Sequence, residues 1–127
     1  MAWIYRQIDG WLISPAGMNL AQGYAGAGDG KNNPEMQEVI DVGPLPCGTY
    51  TMQEPIDSAE LGPYAIPLIP DPSNEMFGRD DFFCHGDSIT NPGKASKGCP
   101  VMPLFARQRM WESSDHVLEV ISGMPTE

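Results

Sequence analysis

Glycine and proline interrupt this chain so often that no long helix fits over most of it. Fourteen glycines and thirteen prolines are spread through 127 residues. Each proline removes a backbone donor, and each glycine loosens the preference of its neighbourhood for regular structure. The stretches between them are short and rich in aromatic and β-branched residues, so the expected fold class is mainly β with ordered turns. Hydrophobic residues make up 41% of the sequence, with three tryptophans, four tyrosines and four phenylalanines. A chain of this length buries roughly two-thirds of the surface its unfolded form exposes. One domain over residues 1–127 is expected, not a disordered chain.

Local patterns place the elements. Trp3 to Gln7 and Trp11 to Ser14 flank Asp9-Gly10, a hairpin signal. Gln22 to Pro34 is a long glycine-rich loop in which Tyr24 fits a short strand; it lacks the Lys-Ser/Thr ending and βαβ surroundings of a phosphate-binding loop. Glu38 to Val42 reads as strand or helical turn, and the rigid turn GPLPCG leads into a strand at Thr49 to Gln53. Tyr64 to Ile69 reads as a short edge strand broken by proline. Asp81 to His85 reads as a strand whose period of two sends Phe83 and His85 to one face, Phe82 and Cys84 to the other. Pro103 to Ser113 is the best helix, carrying Leu104, Phe105, Met110 and Trp111, and Val117 to Ile121 closes the chain as a strand.

Charge and cysteine usage exclude several classes. A net charge of -10 without any Lys/Arg run argues against nucleic acid, whose phosphates need clustered cations. No stretch could span a bilayer. In MAWIYRQIDGWLIS, Arg6 and Asp9 break the continuous apolar region a signal peptide needs. The expectation is synthesis in the cytoplasm and export by other means. Cys47, Cys84 and Cys99 form neither an even set nor a CxxC pair, so at least one thiol stays free.

The run HGDSITNPGKASKGC places His85 and Cys99 14 positions apart, with Ser96 three residues before the cysteine. A cysteine attacks carbonyl carbon as thiolate and needs an imidazole or other positive charge nearby. Small residues around Cys99 let a substrate backbone approach, and Lys97 offers a further positive charge. Asp87 either orients the His85 imidazole or caps the following turn. A zinc site from Cys84, His85, Asp87, Cys99 or His116 is disfavoured, because Cys84 and His85 point to opposite faces and the other donors lack tight spacing. No metal or other cofactor is expected. His116 reads as a surface or turn residue. From the residues alone, nucleophile and structural thiol both stay open.

The same run, followed by a helix bearing Arg107 and Arg109, resembles the His...Ser-x-Gly-Cys signature of L,D-transpeptidases (the YkuD-type catalytic domain). The nearer resemblance is to the branch of type VI secretion L,D-transpeptidase effectors. GYAGAGDGKNNP, GPLPCGTY and DHVLEV resemble that branch in the same order, so the likeness covers nearly the whole chain. The cysteine follows the histidine, unlike the order in papain-like and NlpC/P60 peptidases. The resemblance implies a β-sandwich-like catalytic domain, with one short helix after the cysteine loop. It implies L,D-carboxypeptidase or D-amino-acid exchange activity on peptidoglycan stem tetrapeptides. Cys99 would be the nucleophile and His85 the base and acid; Ser96 and Gly98 belong to the motif, and backbone N–H groups around Gly98 and Cys99 would hold the oxyanion. Gly86, Asp87, Lys97 and Arg107 would meet the substrate. Partners would be wall peptides, a secretion apparatus and a periplasmic immunity protein, for a monomer delivered to a target cell's periplasm. Alternatives are a phage or prophage wall enzyme, or a noncatalytic relative that binds wall peptides or a partner. Two positions depart from the wider class: Lys97 stands where many members have His, and Pro100 removes an N–H beside the nucleophile, which leaves the oxyanion geometry open.

Overall fold

The computed structural model describes residues 2–124. Among them are eight strands, β1 (Trp3–Arg6), β2 (Trp11–Ile13), β3 (Asn19–Gln22), β4 (Gly48–Met52), β5 (Ile56–Ser58), β6 (Gly62–Pro70), β7 (Phe82–Cys84) and β8 (Val117–Ile121), and one α-helix, α1 (Leu104–Glu112). The fold is mainly β. The strands form a curled sheet in the order β3-β2-β1-β8-β4-β6-β5, with β7 also paired to β6. The chain opens as a hairpin with Tyr5 opposite Leu12. β1 and β8 are parallel, and the other pairs are antiparallel. The connection around Asp9-Gly10 is wider than a two-residue turn, because Gln7 and Ile8 donate to the carbonyls of Ile121 and Ser122 and extend the β8 pairing.

The segment expected as a short edge strand, Tyr64 to Ile69, lies inside the sheet. Leu68 faces Met52 on β4 and Phe82 on β7 at once. Proline is tolerated there because of where its missing donor falls. Gln53 N–H donates to the Pro67 carbonyl at 3.0 Å, and the reciprocal bond, which proline cannot make, would sit where the chain leaves β4 for β5. Glu38 to Val42 forms hydrogen-bonded turns, with Val39 N–H on the Met36 carbonyl and Gly43 N–H on that of Val39.

Tyr5, Leu12, Tyr50, Ile66, Leu68 and Leu118 are almost fully buried, each side chain stabilising the fold by about 1.5–3 kcal/mol relative to exposure. Helix α1 starts after Pro103, whose φ of -64° suits the entry, and packs on β6. It buries Ala106, Arg107 and Met110, while Leu104 and Phe105 are about half exposed. Its end is fastened by Ser113, whose Oγ donates to the Met110 carbonyl at 2.8 Å and accepts from the Trp3 indole at 3.0 Å.

Candidate active site

His85 follows directly on β7, where the strand alternation holds: Phe82 and Cys84 enter the core, and Phe83 with His85 lines a cleft. Cys84 is fully enclosed, and burial pushes its thiol up to about 12, so it is chemically silent at neutral pH. His85 is 3% exposed. Its Nδ1 lies 2.8 Å from the Gly86 carbonyl, an acceptor, so Nδ1 carries the proton and Nε2 the lone pair. Burial, helped by the Arg107 charge, lowers its pKa against the opposing pull of the Gly86 carbonyl and Asp87, and the ring is neutral at pH 7.

The cysteine loop is organised by Ser96, itself 3% exposed. Its Oγ donates to the Cys99 carbonyl at 2.6 Å and accepts from Gly26 N–H at 2.9 Å and Gly98 N–H at 3.0 Å. The hydroxyl is therefore spent on loop geometry. Gly98 N–H, expected to help hold an oxyanion, is likewise engaged; Cys99 N–H has no partner among the described residues. Gly98 has φ +144°, and a Cβ there would lie 2.5 Å from Arg79 Nη2, so only glycine fits without displacement. Pro100 does more than remove a donor: its carbonyl accepts from His85 N–H at 3.2 Å.

The Cys99 sulfur accepts from Phe83 N–H at 3.3 Å and lies 3.8 Å from the Asp81 carbonyl. No hydrogen bond joins it to the His85 ring among the described residues. Burial raises its pKa, with Asp81 and Glu60 pushing the same way, while Phe83 N–H and the Arg79 charge pull it down. The net shift is upward, so the resting group is a thiol.

Three residues outside the motif shape the site. Arg79, 7% exposed, donates to the carbonyls of Gln37, Gly43, Pro44 and Lys97. Tyr24 donates to Asp87 Oδ1 at 2.6 Å and accepts from Ala95 N–H at 2.8 Å. Lys31 lies 4.3 Å from the Tyr24 ring centroid and donates to the Gly93 carbonyl at 3.0 Å. Asp87 also accepts from Ser88 and Gly93 N–H, so it caps the turn, and the Gly86 carbonyl is what meets the imidazole. Next to Tyr24, Gly23 lies so close to the Val101 carbonyl that a Cβ would collide, which fixes the backbone from which the Tyr24 ring projects.

The cleft has two lobes that share His85. One, of about 600 Å³, is lined by Cys99, His85, Phe83, Arg79 and Lys97. The other, of about 640 Å³, is lined by His85, Gly86, Asp87, Lys94 and Arg107. Ser96 and Gly98 lie buried beneath the first. Arg107 donates to the carbonyls of Met102, Pro63 and Tyr64, fixing α1 to β6. His116 is remote in role: it stacks on Trp111 at 4.0 Å and its Nε2 meets the Trp111 carbonyl. Among the described residues no three His, Cys, Asp or Glu side chains are grouped to hold a metal, all three cysteines are free, and no helix is long and apolar enough to cross a membrane.

No curated protein and no solved structure matches the chain. A family model does: the Tlde1 domain matches residues 19–120, a span that holds β3 to β7, α1, most of β8 and every residue of the cleft named above. That span is most of the chain, which therefore belongs to the Tlde1 domain family, that of type VI secretion L,D-transpeptidase effectors.

Proposed function

We propose that the chain is a cysteine enzyme that acts on peptidoglycan stem tetrapeptides, with Cys99 as nucleophile and His85 as general base and acid. The observation that carries this reading is the cleft shared by a half-buried thiol and a neutral imidazole whose Nε2 is free to take a proton. Attack of the Cys99 sulfur on the carbonyl before the terminal D-residue passes its proton to His85 Nε2. The tetrahedral intermediate then collapses to a thioester as His85 returns the proton to the leaving amine. Water as acceptor completes an L,D-carboxypeptidase cycle. A free D-amino acid or a second stem's amine completes an exchange or a cross-link.

Each cleft residue then has a task. Cys99 N–H faces the developing oxyanion, a kind of donor worth about 3 kcal/mol. Lys97 and Gly86 line the two lobes, Arg107 supplies charge near His85, and Asp87 braces the loop that lines the second lobe. The family adds the biological setting: a type VI effector is delivered into a target cell, here to the periplasm, and is paired in the producer with an immunity protein. Incubation with purified disaccharide tetrapeptide tests the reading. Loss of the terminal residue, or its replacement when another D-amino acid is supplied, is expected by mass; unchanged peptide would refute it.

A further inference from the structure

Arg79 lies outside the motif yet reaches the nucleophile loop from beneath. Its Nη1 donates to the carbonyls of Gln37 at 2.5 Å and Pro44 at 2.8 Å, and its Nη2 to those of Gly43 at 2.9 Å and Lys97 at 3.3 Å. The guanidinium also lies 5.3 Å from the Phe82 ring centroid. Every acceptor is a neutral carbonyl, and none among the described residues is a carboxylate. Burial of a cation in this way satisfies its donors without cancelling its charge, so a positive potential is left in the cleft wall it helps to form. The contact with Gly98 is close enough that a Cβ would meet Nη2, and Gly98 is bonded covalently to Cys99.

We propose that Arg79 is a positioning residue of the reaction: it pins the Cys99 loop to the 37–44 turn and holds a fixed positive charge beside the lobe in which the thiolate forms. This rests on Cys99 being the nucleophile. The groups acting on Cys99 are Phe83 N–H, Arg79, Asp81 and Glu60; His85, Lys97, Asp41 and Asp80 share its lobe. Tyr50, Asp41 and Cys99 act on Arg79 in turn. The carboxylates disfavour a thiolate. Lys97 is exposed, so its charge is largely screened, whereas Arg79 is buried and its charge is screened much less. Burial still leaves the thiol above its ordinary pKa, and Arg79 keeps it from rising further.

The test is the rate at which iodoacetamide alkylates Cys99, followed by peptide mass from mildly acid to alkaline pH, with Cys47 as internal control. Arg79→Gln is expected to slow Cys99 alkylation about tenfold at neutral pH, a displacement of about one pKa unit, with Cys47 unchanged. Arg79→Lys, which keeps the charge on a shorter arm, falls between Gln and wild type. If the glutamine variant does not fold, Arg79→Met, which keeps the apolar stem and removes the charge, decides in its place: a Cys99 profile displaced to higher pH supports the proposal. A profile superimposed on wild type, even with a lower melting temperature, overturns it and leaves Arg79 a structural tie. The readout needs no wall peptide, so it stands apart from any failure of the tetrapeptide assay.

Discussion

The amide of His85 donates to the carbonyl of Pro100 at 3.2 Å, so the proposed base is bonded to the residue that follows the proposed nucleophile. Met102 N–H returns to the His85 carbonyl at 2.9 Å, and Val101 exchanges two further bonds with Tyr24. The excursion from 86 to 99 is thus closed at its base and braced inside by Ser96 and by the Tyr24–Asp87 contact. The separation of His85 and Cys99 is set by backbone, not by a bond between the two side chains.

The pH dependence of turnover follows from the neutral imidazole. The folded pKa of His85 lies below its ordinary value, chiefly through burial. The acid limb of kcat/KM on tetrapeptide is expected below about pH 6.5, with activity flat through neutrality. The same shift acts on stability with a definite sign: the stability is fully present above the unfolded pKa and is lost as pH falls through the lowered folded value. An acid limb at or above the ordinary histidine value would contradict this account.

Ser96→Ala removes the acceptor of two buried N–H groups and the donor to the Cys99 carbonyl. Stability is expected to fall by about 2–4 kcal/mol, since each buried donor left without a partner costs roughly 1–3 kcal/mol. Urea denaturation measures this. A midpoint within error of wild type would show that Ser96 is not the hub of the loop.

The three thiols are expected to alkylate in a fixed order under native conditions. Cys99 should react first, because Phe83 N–H and Arg79 oppose its burial. Cys47 is raised by burial alone and donates its S–H to Gln7 Oε1 at 3.2 Å, and Cys84 is sealed in the core. Peptide mapping after brief exposure to iodoacetamide reads the order directly. Cys47 reacting as fast as Cys99 would favour a thiol with no chemical role.

Gly98→Ala puts a methyl group 2.5 Å from Arg79 Nη2 and 3.1 Å from the Gly43 carbonyl, at a φ of +144°. A loss of about 1–3 kcal/mol is expected. Alkylation of Cys99 should slow as well, because Arg79 must move. A variant as stable and as reactive as the parent would remove the argument for that contact.

The β class, the opening hairpin, the closing strand and the helix after the cysteine were legible because each carries its own periodicity or turn signal. β3 and β5 were not: Asn19, Gln22, Ile56 and Asp57 are exposed edge residues, so no alternation marks them. β6 was misplaced at an edge because proline in a strand usually means one; only the register shows that the missing Pro67 donor falls at the β4–β5 break. His85 and Cys99 stood out by spacing, and strand parity kept Cys84 away from them. Arg79 and Tyr24 did not stand out, since their partners are backbone carbonyls, an amide and a carboxylate that lie distant in the sequence.

Whether Cys99 carries the chemistry is read most directly by comparing wild type with Cys99→Ala on purified tetrapeptide, by product mass. Wild type is expected to remove or exchange the terminal D-residue, and Cys99→Ala, folded and with an unchanged melting curve, is expected to do neither. Equal turnover by the two proteins, or none by wild type, would contradict that role for Cys99.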